Sequence, residues 1–316
     1  NTLGNLLFMR VPLPAAMITT STMHSPAVIS KFRSLLMSWS RIIRPLLAAS
    51  LLAVLAGCSA VKLAYNNMPD LAYWWADGYA DLNEPQSLML RAELARLQDW
   101  HRKTELPRIA DLLRQIQQVA PADTSAEQIC RLYADIRARF DAVTARTLAQ
   151  SGAPALAMRL TPTQLKHLEA RFAKGNQEWR RERGSSDRAV RVAKRLETEL
   201  ERAEQFYGTL DDQQRRLLQD AVSRSAFDQQ RVFTERVRRQ QDMLETLRGV
   251  AGTGNNIDTT QATAALRAYV ERVSRSPDPL YRAYAETALQ ENCQTYARLH
   301  NSTTAEQRGR AVARLA

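Results

Sequence analysis

Apolar residues along this chain recur with the spacing of a helix. Leu88, Leu90, Leu94, Leu97 and Trp100 fall on one helical face, and Ile129, Leu132, Ile136 and Phe140 on another. Leu165, Leu168 and Phe172, then Leu217, Leu218 and Val222, repeat the pattern. β-branched runs are scarce and no strand-like alternation is present. Gly, Ser and Pro interrupt the pattern at residues 151–154, 184–186, 208, 249–256 and 276–279. The pattern predicts an all-α chain with no β-sheet: an elongated helical bundle built around a long antiparallel helical hairpin. Its arms are residues 161–206, kinked at 184–186, and residues 211–248, one helix of about 55 Å at 1.5 Å per residue. The two arms meet near Gly208, and shorter helices cover their apolar stripe.

Helix starts share one device. An oxygen-bearing side chain is followed three residues later by Glu or Gln, so that each satisfies a backbone donor the helix leaves unpaired. It occurs in Asn83-Glu84-Pro85-Gln86, Thr124-Ser125-Ala126-Glu127-Gln128, Leu160-Thr161-Pro162-Thr163-Gln164, Leu210-Asp211-Asp212-Gln213-Gln214 and Thr303-Thr304-Ala305-Glu306-Gln307. The irregular spacing marks reuse of a cap, not a solenoid repeat. Pro107 predicts a kink or break ahead of Ile109.

Ahead of the helices, two arginines, Arg41 and Arg44, precede an apolar run that ends in Leu55-Ala56-Gly57-Cys58. A basic segment, a short apolar segment and small residues at the cut are the parts of a secretory signal. The run of about 12 residues is short of the roughly 20 a spanning helix needs. Residues 37–57 are therefore expected to be a lipoprotein signal peptide, cut between Gly57 and Cys58. By resemblance to the lipobox family, Cys58 is the lipid attachment site. Residues 1–36 carry no acidic residue and no helical period, and are expected to be a spurious N-terminal extension ahead of Met37. Residues 58–316 are expected to form a single all-α domain facing the periplasm. Ser59 after the cysteine favours the outer membrane, by resemblance to lipoprotein sorting in enteric bacteria.

The charge picture changes once the signal is set aside. The chain carries a formal net charge of +11, and residues 1–57 hold five cations and no acid, which leaves +6 for the rest. Arginines dominate the cations of that remainder, 34 against 5 lysines. Cys130 and Cys293 fit a disulfide in an oxidising compartment, and fit equally well two small buried core positions. Three of the five tryptophans fall between Trp74 and Trp100. At helical spacing they are read as core, with a membrane surface as the alternative.

No metal-binding cysteine or histidine pairs, nucleophile motif or phosphate loop is present. His101, His167 and His300 stand apart and are read as surface or capping groups. Glu197, Glu201 and Arg202, like Glu235 and Arg239, are read as pairs on solvated helix faces. No catalytic residue, metal or cofactor is assigned. The one charge feature above background is residues 171–195, with nine cations against three acids and Trp179 among them. Arg171, Lys174, Arg180, Arg181, Arg183, Arg188 and Arg191 are the candidate basic contact face, for anionic lipid or an acidic partner. The export signal removes nucleic acid as a partner.

Two resemblances follow. Lys62-Leu63-Ala64-Tyr65-Asn66-Asn67, Trp74-Trp75, Tyr79, Asp81-Leu82-Asn83, Gln86, Trp100-His101-Arg102 and Leu106-Pro107 resemble an uncharacterised family of proteobacterial lipoproteins, which implies the architecture and no activity. Leu160-Thr161-Pro162-Thr163-Gln164 is similar to the Leu-Thr-x-x-Gln motif of the Spy and CpxP periplasmic proteins, helical cradles with chaperone or stress-adaptor roles. Asp211 and Thr303 depart from that motif in the other copies.

Together these features give the expectation of a lipid-anchored, non-enzymatic binding or chaperone-like scaffold of the cell envelope. Its partners would be the membrane, through the lipid, and an envelope protein partner or client. The alternative is an assembly component that docks through the basic face. An envelope hydrolase built from distant carboxylates is the third class.

Overall fold

The computed structural model describes residues 62–251 and 257–316. The expected extension, the signal, Gly57 and Cys58 all lie outside the described residues. The described residues contain twelve α-helices and no strand, so the chain is all-α. They belong to two units, of which the first contributes only residues 62–72. There the backbone is helical, with the Asn67 amide donating to the Leu63 carbonyl and the Leu71 amide to the Asn67 carbonyl, both at 3.0 Å. Helix α1 (Met68–Ala80) leads into the second unit, to which all that follows belongs.

Helix α2 (Glu84–Trp100) opens on an Asn83 cap, with Pro85 in its first turn where no partner for an amide is missed. Pro107 does not break the chain here. Residues His101–Glu105 widen into a π turn, in which the Leu106 amide donates to the His101 carbonyl, and α3 (Leu106–Val119) continues. A proline ring collides with the carbonyl four residues earlier in a regular helix, and the extra residue in the turn relieves that collision.

Helix α4 (Ala126–Gln150) is followed by the short α5 (Ala153–Met158), then by α6 (Pro162–Arg183) and α7 (Arg188–Tyr207). Beyond Gly208 come α8 (Asp212–Arg224), α9 (Gln229–Val250), α10 (Thr259–Ser274), α11 (Pro279–Asn301) and α12 (Ala305–Arg314). The hairpin exists, but each arm is two helices. Helix α7 packs on α8 next to Gly208, and α6 packs on α9 beyond them. The first break, at 184–187, falls where a kink is expected.

The second break, at 225–228, overturns the expectation of one helix over 211–248. Its cause is tertiary. Glu291 on α11 takes the Ser225 hydroxyl at 2.8 Å and the Ala226 amide at 3.0 Å. The Tyr284 hydroxyl, also on α11, takes the Asp228 amide at 3.0 Å. Donors that a continuous helix would use internally are satisfied from a neighbouring helix, so the chain can leave the helix without orphaning them. Asp228 then restarts it by capping Gln230 and Arg231. At the same level Arg188 reaches across to the Ser223 carbonyl at 3.2 Å.

Two small cores result. Leu165 and Leu168 of α6 meet Leu244, Leu247 and Val250 of α9, with Ala157 and Ala262 closing that cluster. Ala203, Leu210, Leu218 and Leu299 join α7, α8 and α11 in the other. Phe140 and Leu88, expected on core-facing stripes, are 51% and 64% exposed.

Candidate functional site

The glutamines of the repeated helix starts do more than cap. Each of Gln86, Gln164, Gln214 and Gln307 sits at the third position of its helix and accepts its own N-cap amide at 2.9–3.0 Å. They then pair. Gln86 Nε2 donates to Gln164 Oε1 at 3.2 Å, and Gln164 Nε2 donates to Gln86 Oε1 at 2.6 Å. Gln214 and Gln307 do the same at 2.8 and 2.9 Å. The second amide hydrogen of each goes to a carbonyl just ahead of the partner's cap. Gln86 reaches Arg159, Gln164 reaches Asp81, Gln214 reaches Ser302 and Gln307 reaches Thr209, at 2.8–3.0 Å.

Each amide thus makes two donor and two acceptor contacts, its whole capacity. All four side chains are at most 8% exposed, so that satisfaction is required. The chain reaches both pairs through a left-handed residue, Asp81 at φ 50° after α1 and Gly208 at φ 76° after α7. A side chain at Gly208 would also strike Arg310. The other two boxes, Ser125 with Gln128 and Asp258 with Gln261, have exposed glutamines and no such mate. The Asp258 box and the pairing itself are absent from the sequence expectations. Leucine stands just before the cap at 82, 160 and 210, but Ile257 holds the same place ahead of the exposed Gln261 and Thr303 ahead of the paired Gln307, so the residue before the cap does not separate the two kinds.

Buried charge is neutralised locally. Glu105 on the π turn is fully buried and holds Arg108 at 2.8 Å and Arg139 at 3.4 Å. Glu235, read as part of a solvated face, is 4% exposed and carries Arg238, Arg239 and the Ser276 hydroxyl. Burial by itself would raise its carboxyl, but the hydrogen bonds from Arg238 and Arg239 outweigh that and hold it below its ordinary value. Asp242, one turn on, is held low chiefly by Arg272. These carboxylates serve as anchors for arginines.

His300, expected on the surface or as a capping group, is instead 7% exposed. Its Nε2 faces the Ala122 carbonyl at 2.9 Å, which can only accept, so that nitrogen carries the proton. Nδ1 therefore accepts the Tyr207 hydroxyl, at 2.9 Å. Burial pushes Tyr207 up to about 12. His167 lies 3.3 Å from the Gly78 carbonyl, and burial lowers His101 despite nearby Glu105.

The candidate basic face is divided among several tasks. Arg188 holds the Ser223 carbonyl, and Arg191 binds the Ser185 and Ser186 carbonyls, both at 2.7 Å, at the break between α6 and α7. Arg180 lies over the Phe233 ring, 4.7 Å from its centre, beside Trp179. Arg183 ends α6. Arg171, Lys174 and Arg181, three or seven residues apart on α6, are exposed and form no ion pair among the described residues, though Arg171 lies 5.5 Å from the centre of the Tyr79 ring. This narrower strip keeps its charge without a carboxylate partner among the described residues.

Cys130 of α4 and Cys293 of α11 are joined, with their Cα atoms 5.5 Å apart. Trp75 and Trp100 are half-buried, Trp75 against Tyr79 and Trp100 beneath Arg146, whereas Trp74 is 62% exposed and not core.

Concavities among the described residues include a crevice and a groove. An apolar crevice of about 50 Å³ lies among Leu90, Leu94, Leu97 and Leu156, well below the 300–1,000 Å³ of small-molecule pockets. An open groove of about 300 Å³ runs beside Gln307, rimmed by the ion-paired Glu306 and Arg310. Among the described residues no three His, Cys, Asp or Glu side chains gather as metal ligands, and no helix is long and apolar enough to cross a membrane.

No curated protein and no solved structure matches the chain. Residues 78–256, more than half of the chain, match a family described as "Family of unknown function (DUF6279)", and the protein belongs to that family.

Proposed function

We propose that the protein is a lipid-anchored α-helical component of the cell envelope that acts as a non-enzymatic binding or chaperone-like scaffold. The observation that carries this is the all-α architecture, in which α6 packs on α9 and α7 on α8 as two arms of a helical hairpin that meet at Gly208. The Leu-Thr-x-x-Gln likeness to helical periplasmic chaperones points the same way, and the lipobox at Cys58 supplies the anchor. The Cys130–Cys293 bond supports export, since such bonds persist in oxidising compartments. Light scattering from a denatured client tests the proposal. The Cys58→Ala chain should suppress aggregation at equimolar ratio, and unchanged scattering at molar excess would refute it.

A second reading, assembly on an anionic surface, rests on the unpaired strip of Arg171, Lys174 and Arg181. It predicts that the Cys58→Ala chain binds phosphatidylglycerol vesicles at low salt and detaches as salt rises. Replacing the three cations by Gln should abolish binding; binding that ignores both salt and substitution would exclude this reading.

A further inference from the structure

The α1–α2 hairpin presents an apolar pair whose side is set by its geometry. The Tyr73 hydroxyl donates to Ser87 Oγ at 3.1 Å, which puts residues 73 and 87 at the contact between the two helices. The next residue on a helix lies about 100° further round. Only residues 81–83 separate α1 from α2, and Tyr73 meets both Ser87 and Arg91, so the two helices run in opposing directions, and equal right-handed steps from facing positions turn to the same side of the pair. Trp74 and Leu88 therefore share one face, and they are 62% and 64% exposed. Arg91, one turn beyond Leu88, lies over the Tyr73 ring at 3.5 Å, and Ala92 and Ala95 continue the exposed side of α2. The combination of an exposed Trp, an aliphatic neighbour, a Tyr and a cation is the composition of protein surface at a bilayer interface.

We propose that this face lies against the membrane, with Trp74 and Leu88 in the interfacial zone of the lipid. The proposal rests on the lipid anchor at Cys58, and chain length favours it. Trp74 is sixteen residues beyond Cys58, so the first exposed tryptophan after the anchor is tethered near the headgroups. Area argues against a protein partner. A buried tryptophan contributes roughly 150–250 Å², so one Trp and one Leu fall well short of the roughly 800 Å² per partner of a stable protein interface. For a chain already held at the surface, the pair has only to orient the domain, and a second weak membrane contact is what an acylated protein needs for a fixed pose.

The test uses the full chain, purified from membranes and reconstituted into phosphatidylethanolamine and phosphatidylglycerol vesicles with brominated acyl chains. Tryptophan emission is compared between the wild type and Trp74→Phe, so that the other tryptophans cancel. Both proteins are weighed intact to read the acyl groups on Cys58. Bromine quenching that is largely lost in Trp74→Phe supports the docking. Equal quenching in the two proteins overturns it, and does so more firmly if the wild type self-associates through Trp74. The mass reads the anchor separately. Acylated protein without Trp74 quenching sinks the docking and leaves the anchor, whereas unacylated protein with Trp74 quenching sinks the anchor and leaves the docking. Absence of both removes both.

Discussion

Gln86 and Gln164, 78 residues apart, exchange two side-chain hydrogen bonds at 3.2 and 2.6 Å while each caps its own helix. Gln214 and Gln307, 93 residues apart, repeat the arrangement at the other end of the hairpin. The same five-residue start thus joins the N-termini of α2 and α6, and of α8 and α12. One pair lies directly ahead of Leu165 and the first core, and the other between Leu210 and Leu218 of the second.

Removing one amide from a pair should therefore cost far more than removing a simple cap. Gln214→Ala removes one of the two donor contacts and one of the two acceptor contacts of the Gln307 amide, and takes their partner from the Ser302 carbonyl and the Asp211 amide, each group left unpaired costing about 1–3 kcal/mol. Gln128→Ala removes a solvent-exposed cap and should cost about 0.5–1 kcal/mol. Urea unfolding midpoints of the two variants check this. Equal losses would mean that the paired amides add nothing beyond capping.

The Cys130–Cys293 bond spans 163 residues and fastens α4 to α11. Loop-closure entropy sets an upper value of about 5 kcal/mol for so long a loop, and native disulfides typically contribute about 2–5 kcal/mol. Reduction, or the double Cys130→Ala and Cys293→Ala change, should lower the unfolding midpoint markedly while leaving the helical circular dichroism intact. An unchanged midpoint on reduction would show that packing of α4 on α11 carries the stability without the bond.

Acid should destabilise the cluster around α9. Glu235 and Asp242 are held below their ordinary values in the folded chain, by hydrogen bonds from Arg238 and Arg239 and from Arg272. A depressed carboxyl contributes stability that is complete above its unfolded value, about 4, and is lost as pH falls through the lower folded value. Glu235→Gln and Asp242→Asn should each flatten the decline of stability below about pH 4. The urea midpoint followed from neutral pH into acid checks it, and parallel declines in wild type and variants would contradict it.

Alkali should act through Tyr207. Its hydroxyl is pushed up to about 12 by burial, with nearby Arg308 opposing. A raised acid contributes stability that is complete below its unfolded value, about 10, and is lost as pH climbs toward the folded one. Tyr207→Phe should remove part of that alkaline decline. It should also lower the neutral plateau by about 1 kcal/mol, because the hydroxyl no longer reaches His300. Tyr296, raised by burial and by Glu199, leaves a residual slope.

The helical period of apolar residues, the caps at Asn83, Thr161, Asp211 and Thr304, and the breaks after Arg183 and Tyr207 were all legible in the residues, because each depends on backbone chemistry within one turn. Pro107 was legible as a disturbance, but whether a helix breaks or widens depends on what accepts the displaced chain, and buried Glu105 with Arg139 of α4 supplies that. The break at 225–228 left no local trace. Ser225-Ala226-Phe227-Asp228 has neither Gly nor Pro, and the acceptors that let the helix open, Glu291 and Tyr284, come from α11.

The candidate face shows the same division. Seven cations within 21 residues are plain in the sequence, but which are spent on carbonyls and rings and which stay free is decided by the partners that folding brings near. Sequence by itself determined the helix class and the helix starts at Asn83, Ser125, Thr161, Asp211 and Thr304, because hydrogen bonds to caps reach only three or four residues. Tertiary structure alone decided that glutamines 78 and 93 residues apart would pair, that Glu235 and His300 would be buried and that Trp74 would not. Those outcomes depend on which groups compete for the same buried partners, and that competition is settled only when the helices pack.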